Sequence, residues 1–154
     1  MDLEALARLA DRLTARLGEN AVQVVQPAES HVPERSECWR IFDGDLPEPA
    51  IAPPMGPRPL RLLDQPERVE VLAEIPDGPP ARFIWRRVAR HITRADGPER
   101  IAPEWWKLSE RGARARDYYR AEDVQGRRYW VFREGLYDDN RGGPPQWFVH
   151  GLFA

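Results

Sequence analysis

Apolar positions at the start of the chain recur with a helical period. Leu3, Leu6, Ala10, Leu13 and Leu17 fall on one stripe, and Arg8, Arg12 and Arg16 lie elsewhere. Asp2 can cap the start and Gly18 stands where a helix would stop, so the spacing predicts a helix over residues 2–17. Beyond it, Ala21 to Gln26 and Cys38 to Phe42 read as two short strands, with a loop from Pro27 to Pro33 between them. From Pro47 to Pro59 there are six Pro and almost no periodicity, which marks an extended linker and the one convincing domain boundary.

After that linker the period is that of strands. Leu60–Leu63, Arg68–Ile75 and Ala81–Arg94 are rich in β-branched and aromatic residues, and Asp77-Gly78-Pro79-Pro80 supplies a turn. Residues 115–123 and 127–134 make the best hairpin, with Val124-Gln125-Gly126 turning and Gly126 placed for a positive φ. In its second arm Arg128, Trp130 and Phe132 share one face, and Tyr129, Val131 and Arg133 the other. Decoration of both faces suits a barrel or a covered sheet, and Gln146 to Phe153 supplies a closing strand. Five to six strands predict a small antiparallel barrel or strongly curved sheet, mainly β, with the N-terminal amphipathic helix making the whole α+β. The expected organisation is residues 1–42 as a helix with short strands, 43–58 as linker and 59–154 as a β-domain.

At 154 residues the chain fits one domain, or a small domain with an attached element, and 42% apolar residues suffice for a core. A net charge of −2 gives no global argument for nucleic acid or membrane. A single Cys, Cys38, rules out an internal disulfide framework and fits a reducing compartment. Nothing approaches an uninterrupted membrane-length apolar run, and no basic-flanked apolar leader opens the chain, so it is expected to be soluble and cytoplasmic.

Catalytic signatures are missing. The chain contains no GxGxxG, no GxxxxGK[ST], no HExxH and no CxxC. His31, His91 and His150 are far apart in sequence, Ser30 and Ser36 lack elbow glycines, and the carboxylates mostly describe a charged surface. The expectation is no enzyme, no cofactor and no metal. Five of the six Trp lie between Trp85 and Trp147, interleaved with basic residues. Arg82, Arg86, Arg87, Arg90 and Arg94 crowd one strand; Arg111, Arg114, Arg116, Arg120, Arg127, Arg128 and Arg133 crowd the hairpin. Arg beside aromatic rings is what single-strand grooves use to hold phosphate and base, and what protein interfaces use as anchors. The plainer reading is that Arg stems cover apolar sheet surface and pair with Asp117, Glu122, Asp123 and Glu134; the close alternation of acids with Arg favours it. The candidate partner or DNA contacts are Trp105, Trp106, Tyr118, Tyr119, Arg86, Arg90, Arg116 and Arg120.

Several strings also carry a likeness: Ser30 to Arg35, Pro59 to Leu62, Glu70 to Pro80, Gly97 to Trp106, Arg116 to Arg120, Phe132 to Tyr137, and Trp147 to Ala154. Together they resemble the C-terminal region of the ImuB family, the catalytically inactive Y-family DNA polymerase homologues of the bacterial mutasome. The likeness runs through essentially the whole chain and is densest from Pro59 to Ala154. It implies that residues 2–42 are the tail of a little-finger-like region and Met1 an added start. It further implies a non-catalytic hub of SOS-linked translesion synthesis, nucleoid-associated when active. Its partners would be a RecA-like accessory protein and an error-prone polymerase III-type α subunit. Sliding-clamp docking in that family uses a Gln- and Leu-rich motif absent here, so it is not carried over. The rival reading is a single-strand DNA-binding module of the same complex. A bare stripe of Leu on a short helix also points to self-association of this piece, since such a helix is marginal alone in water.

Overall fold

The computed structural model describes residues 2–47, 56–73, 75, 78–107, 112–136 and 143–154. Most of the Pro-rich linker, Glu74, Pro76, Asp77, Arg111 and Tyr137 lie outside the described residues. The chain divides into two units, Met1–Pro53 and Pro54–Ala154.

In the first unit, helix α1 spans Leu3–Leu17. The Asp2 side chain accepts from the Ala5 amide at 3.1 Å, and the Gly18 amide closes the last turn on the Thr14 carbonyl. Of the apolar stripe, Ala10 is buried, while Leu3, Leu13 and Leu17 are exposed. Strands β1 (Gln23–Pro27) and β2 (Glu37–Ile41) form an antiparallel hairpin in which Val25 faces Trp39. A short 3-10 turn, Pro33–Arg35, lies between them.

The second unit is a closed six-stranded antiparallel barrel of consecutive strands. They are β3 (Arg61–Ala73), β4 (Pro80–Trp85), β5 (Val88–Ile101), β6 (Arg116–Asp123), β7 (Arg128–Glu134) and β8 (Gln146–Leu152). Closure comes from β8 pairing with both β7 and β3, which leaves the sheet without an open edge. Two differences from the sequence reading stand out. The runs 60–63 and 68–75 belong to the single strand β3, which is bent by a register shift between Leu62 and Glu67. The run Ala81–Arg94 is two strands that turn at Arg86-Arg87, residues with no turn signature.

The strand period fills the barrel. Val69, Phe83, Trp85, Tyr119, Ala121, Tyr129, Val131, Trp147 and Val149 form the interior cluster. The opposite faces of β6 to β8 are covered as well: Ile101, Tyr118, Trp130 and Phe132 form a second cluster, with Leu62, Phe148 and Phe153 packed against it. Burial on both faces is why the hairpin sequence has no wholly polar side. At the β7–β8 seam Trp130 faces Gly151 and Val131 faces Val149, so His150 is the extra residue of a bulge. A Cβ on Gly151 would come within 2.6 Å of the Pro59 ring, so only glycine lets this covering segment approach. Gly126 takes φ +77° and closes the β6–β7 turn, its amide donating to the Asp123 carbonyl at 2.9 Å.

Residues 54–154, expressed alone, are expected to keep the cooperative unfolding transition that the barrel shows in the whole chain. Near-ultraviolet circular dichroism during urea unfolding measures this. Loss of the transition in the shorter piece would show that the barrel needs the first unit to fold.

Candidate functional site

The inward face of β6 carries a buried carboxylate toward each end. Asp117 accepts from Arg100 at 2.7 and 2.9 Å and from Arg133 at 3.0 Å, and Arg133 is itself buried. Burial alone would push the Asp117 carboxyl up, but hydrogen bonds from Arg100 and Arg133 outweigh it and hold it below the ordinary Asp range. Asp123 accepts from the Gln125 and Arg127 amides, the Arg127 guanidinium and the Tyr129 hydroxyl, at 2.9–3.0 Å. Its carboxyl is likewise lowered against the opposing effect of burial. These are structural clamps on ladder ends and a turn. Their partners are already in place, and nothing in their geometry presents a reactive atom to solvent.

The eight candidate contacts separate sharply. Tyr118 and Tyr119 are 1% and 2% exposed, one in each cluster, so neither offers a ring to a partner. They are core residues because β6 is covered on both faces, and the adjacent pair points in and out of the barrel. Tyr118 donates or accepts at His150 Nδ1, 2.8 Å away. Arg116 lies 3.6 Å from Glu134, with its guanidinium 5.1 Å from the Phe132 ring. Arg120 donates to Asp96 at 2.6 Å. Arg90 sits 3.9 Å from Asp123, beside the Tyr129 ring. Arg86 is fixed to Glu67 at the β4–β5 turn. Arg116, Arg120, Arg127 and Arg133 of the hairpin are thus matched to acids, as the alternation of charges implies, and the structure does not assemble them with the tyrosines into a groove.

Trp105 and Trp106 behave differently. They are 80% and 57% exposed, in the segment that follows β5. The backbone of this segment turns on itself. Glu104 is buried and pairs with Lys107 at 2.7 Å. The Lys107 amide returns to the Glu104 carbonyl at 2.8 Å, and Trp105 to Pro103 at 2.9 Å. The two rings meet edge to face with centroids 5.7 Å apart. Holding two indoles out of the core forgoes several kcal/mol of burial, at roughly 1.5–3 kcal/mol for a large apolar side chain. Among the described residues this is the largest pair of adjacent exposed aromatics. Trp39, 63% exposed on β2, is a further one that the sequence reading did not single out; its place opposite Val25 on an uncovered hairpin face was the available signal.

No group of three or more His, Cys, Asp or Glu side chains among the described residues is placed to hold a metal ion. No described helix is long and apolar enough to cross a membrane.

Fold and surface together define a small closed antiparallel barrel with an attached helix–hairpin unit and an exposed tryptophan pair. The chain is a relative of the C-terminal region of ImuB. It is 49% identical over 157 aligned residues, 98% of its length, to Protein ImuB of Caulobacter vibrioides strain NA1000, and equally so to that of strain CB 15. It spans about a third (34%) of the length of these curated relatives. No protein-family model matches the chain, and no solved structure matches it.

Proposed function

We propose that this chain is a non-catalytic protein-interaction module of a translesion DNA synthesis scaffold. In this reading it recruits the RecA-like accessory subunit and the error-prone polymerase III-type α subunit during SOS mutagenesis. The observation that carries the reading is the anchored Trp105–Trp106 pair. Large aromatic side chains dominate the energy of protein interfaces, where they enter desolvated pockets on the partner. The backbone turns on either side of the pair, beside a buried Glu104, limit the loop freedom that association would have to remove. The likeness to ImuB is the reason the mutasome subunits are the partners proposed.

A pull-down of the chain with each mutasome subunit in turn tests this. The Trp105→Ala, Trp106→Ala double variant is expected to lose binding to one of the two by roughly 2–4 kcal/mol, the range of strong interface anchors. Its melting temperature should stay near wild type, because neither ring is in the core. Undiminished binding by the double variant would remove the tryptophan pair from the interface.

A further inference from the structure

The β4–β5 turn is made from residues that do not suit its geometry. Trp85 pairs with Val88, leaving a two-residue loop of Arg86 and Arg87. Both take positive φ, +48° and +67°, and among the described residues they are the non-glycine positions that do so. This is the type I′ pattern, for which Asn-Gly is the relaxed choice. Bulky L-residues in left-handed conformation persist where the surroundings over-determine them, and such positions gather at functional sites.

The surroundings of Arg86 are plain. Its guanidinium donates to both Glu67 oxygens at 2.6 and 3.0 Å and lies 4.6 Å from the centre of the Trp85 ring. The Trp85 indole donates to the same carboxylate at 2.7 Å. Arg86 therefore clamps the turn to β3. Arg87 has no such duty: it is exposed and makes no hydrogen bond or ion pair with a described residue.

Two more arginines share that condition on the adjoining strands. Arg82 is exposed on β4, between Leu72 of β3 and His91 of β5. Arg68 is exposed on the same face of β3, two residues before Glu70, whose partner on β4 is Ile84. Neither has an ion pair among the described residues. Glu70 is the carboxylate that stands between them. Elsewhere on the barrel Arg94, Arg100, Arg116, Arg120, Arg127 and Arg133 lie within 3.6 Å of an acid, while Arg61 and Arg128 have no Asp or Glu partner among the described residues but stand away from this face. From Arg82 to the end of β4 the strand advances about 10 Å and Arg87 lies beyond it in the turn, too far for one small anion to meet both.

We propose that the outer face of β3 and β4, headed by the Arg86-Arg87 turn, binds the phosphate backbone of nucleic acid through Arg68, Arg82 and Arg87. These residues are separate from the tryptophan pair, so this contact and the protein interface can fail independently. Binding of the whole chain to a labelled single-stranded thymidine oligonucleotide, titrated across salt concentrations, is the test. Each arginine engaged should contribute about 0.7 to the slope of log affinity against log salt. Arg87→Gly relaxes the turn, so it should keep or raise the melting temperature while lowering the slope by that amount. Arg87→Lys should retain most of the binding, and the Arg68→Ala, Arg82→Ala, Arg87→Ala variant should lower the slope by about 2. Wild-type affinity in Arg87→Gly, or no oligonucleotide binding by the wild type, overturns the proposal. So does an equal loss in Arg120→Ala. Competition by polyglutamate as strong as by the oligonucleotide would assign the face to an acidic protein segment and overturn it too.

Discussion

Trp130→Ala is expected to destabilise the barrel by roughly 3–5 kcal/mol, the usual cost of deleting a large buried aromatic. The ring is 3% exposed. It packs against Tyr118 with centroids 4.1 Å apart and against His150 at 5.8 Å, nearly parallel to the latter. Arg58, paired with Glu99 at 2.7 Å, lies 5.0 Å over its centre. The bulge at His150 and the Pro59 segment over Gly151 are shaped around this ring, so the site cannot collapse cheaply to refill the volume. Urea unfolding of wild type and variant gives the difference directly. A variant with an unchanged midpoint that fails to bind a mutasome subunit would move Trp130 from core to interface.

Asp117→Asn is the second large effect. Arg133 is about 3% exposed at its side chain, and neutralising Asp117 takes a counter-charge away from that buried cation. Breaking one side of a buried pair costs roughly 3–5 kcal/mol. Arg100 adds little to this, because its side chain is 56% exposed and water screens it. The same geometry fixes a pH dependence. With the Asp117 and Asp123 carboxyls below their unfolded value, the stabilisation is fully present above about pH 4 and drains away as pH falls through the depressed folded values. Wild-type stability should therefore fall steeply in acid, and Asp117→Asn should start lower and fall less. Parallel profiles for the two proteins would show that Asp117 is not a source of the acid sensitivity. A Met in place of Arg133 together with Leu in place of Asp117 should recover much of the loss, since a packed apolar pair carries no desolvation penalty.

The elements with strong local signals were readable from the chain. The helix has its stripe, its Asp2 cap and its Gly18 stop; the β6–β7 hairpin has Gly126 at the position that needs positive φ. The barrel class followed from aromatic residues on both faces of β7. The β4–β5 turn was illegible because Arg-Arg carries no turn preference, and what holds it is Glu67, distant in sequence. The inside-out arrangement of Tyr118 and Tyr119 was equally hidden. Alternation told that they face opposite ways, but only closure of the barrel and the covering by Phe148 and Phe153 bury both. For the candidate contacts, composition could not separate a paired Arg from an unpaired one, because that depends on which acids the register brings alongside. Trp105 and Trp106 are among the candidate contacts and are exposed, beside Glu104, an acidic residue whose burial nothing in the local sequence announces.

The two carboxylate clamps have a bearing on how such a chain can diverge. Each locks one end of the β6–β7 ladder with side chains that belong to the strands and the turn, so the frame is self-sufficient there. The segment after β5 and the β4–β5 tip lie outside both locks. Relatives can therefore exchange the side chains displayed there, Trp105, Trp106 and Arg87, while Glu104 beneath the first and the Arg86–Glu67 clamp beneath the second stay in place.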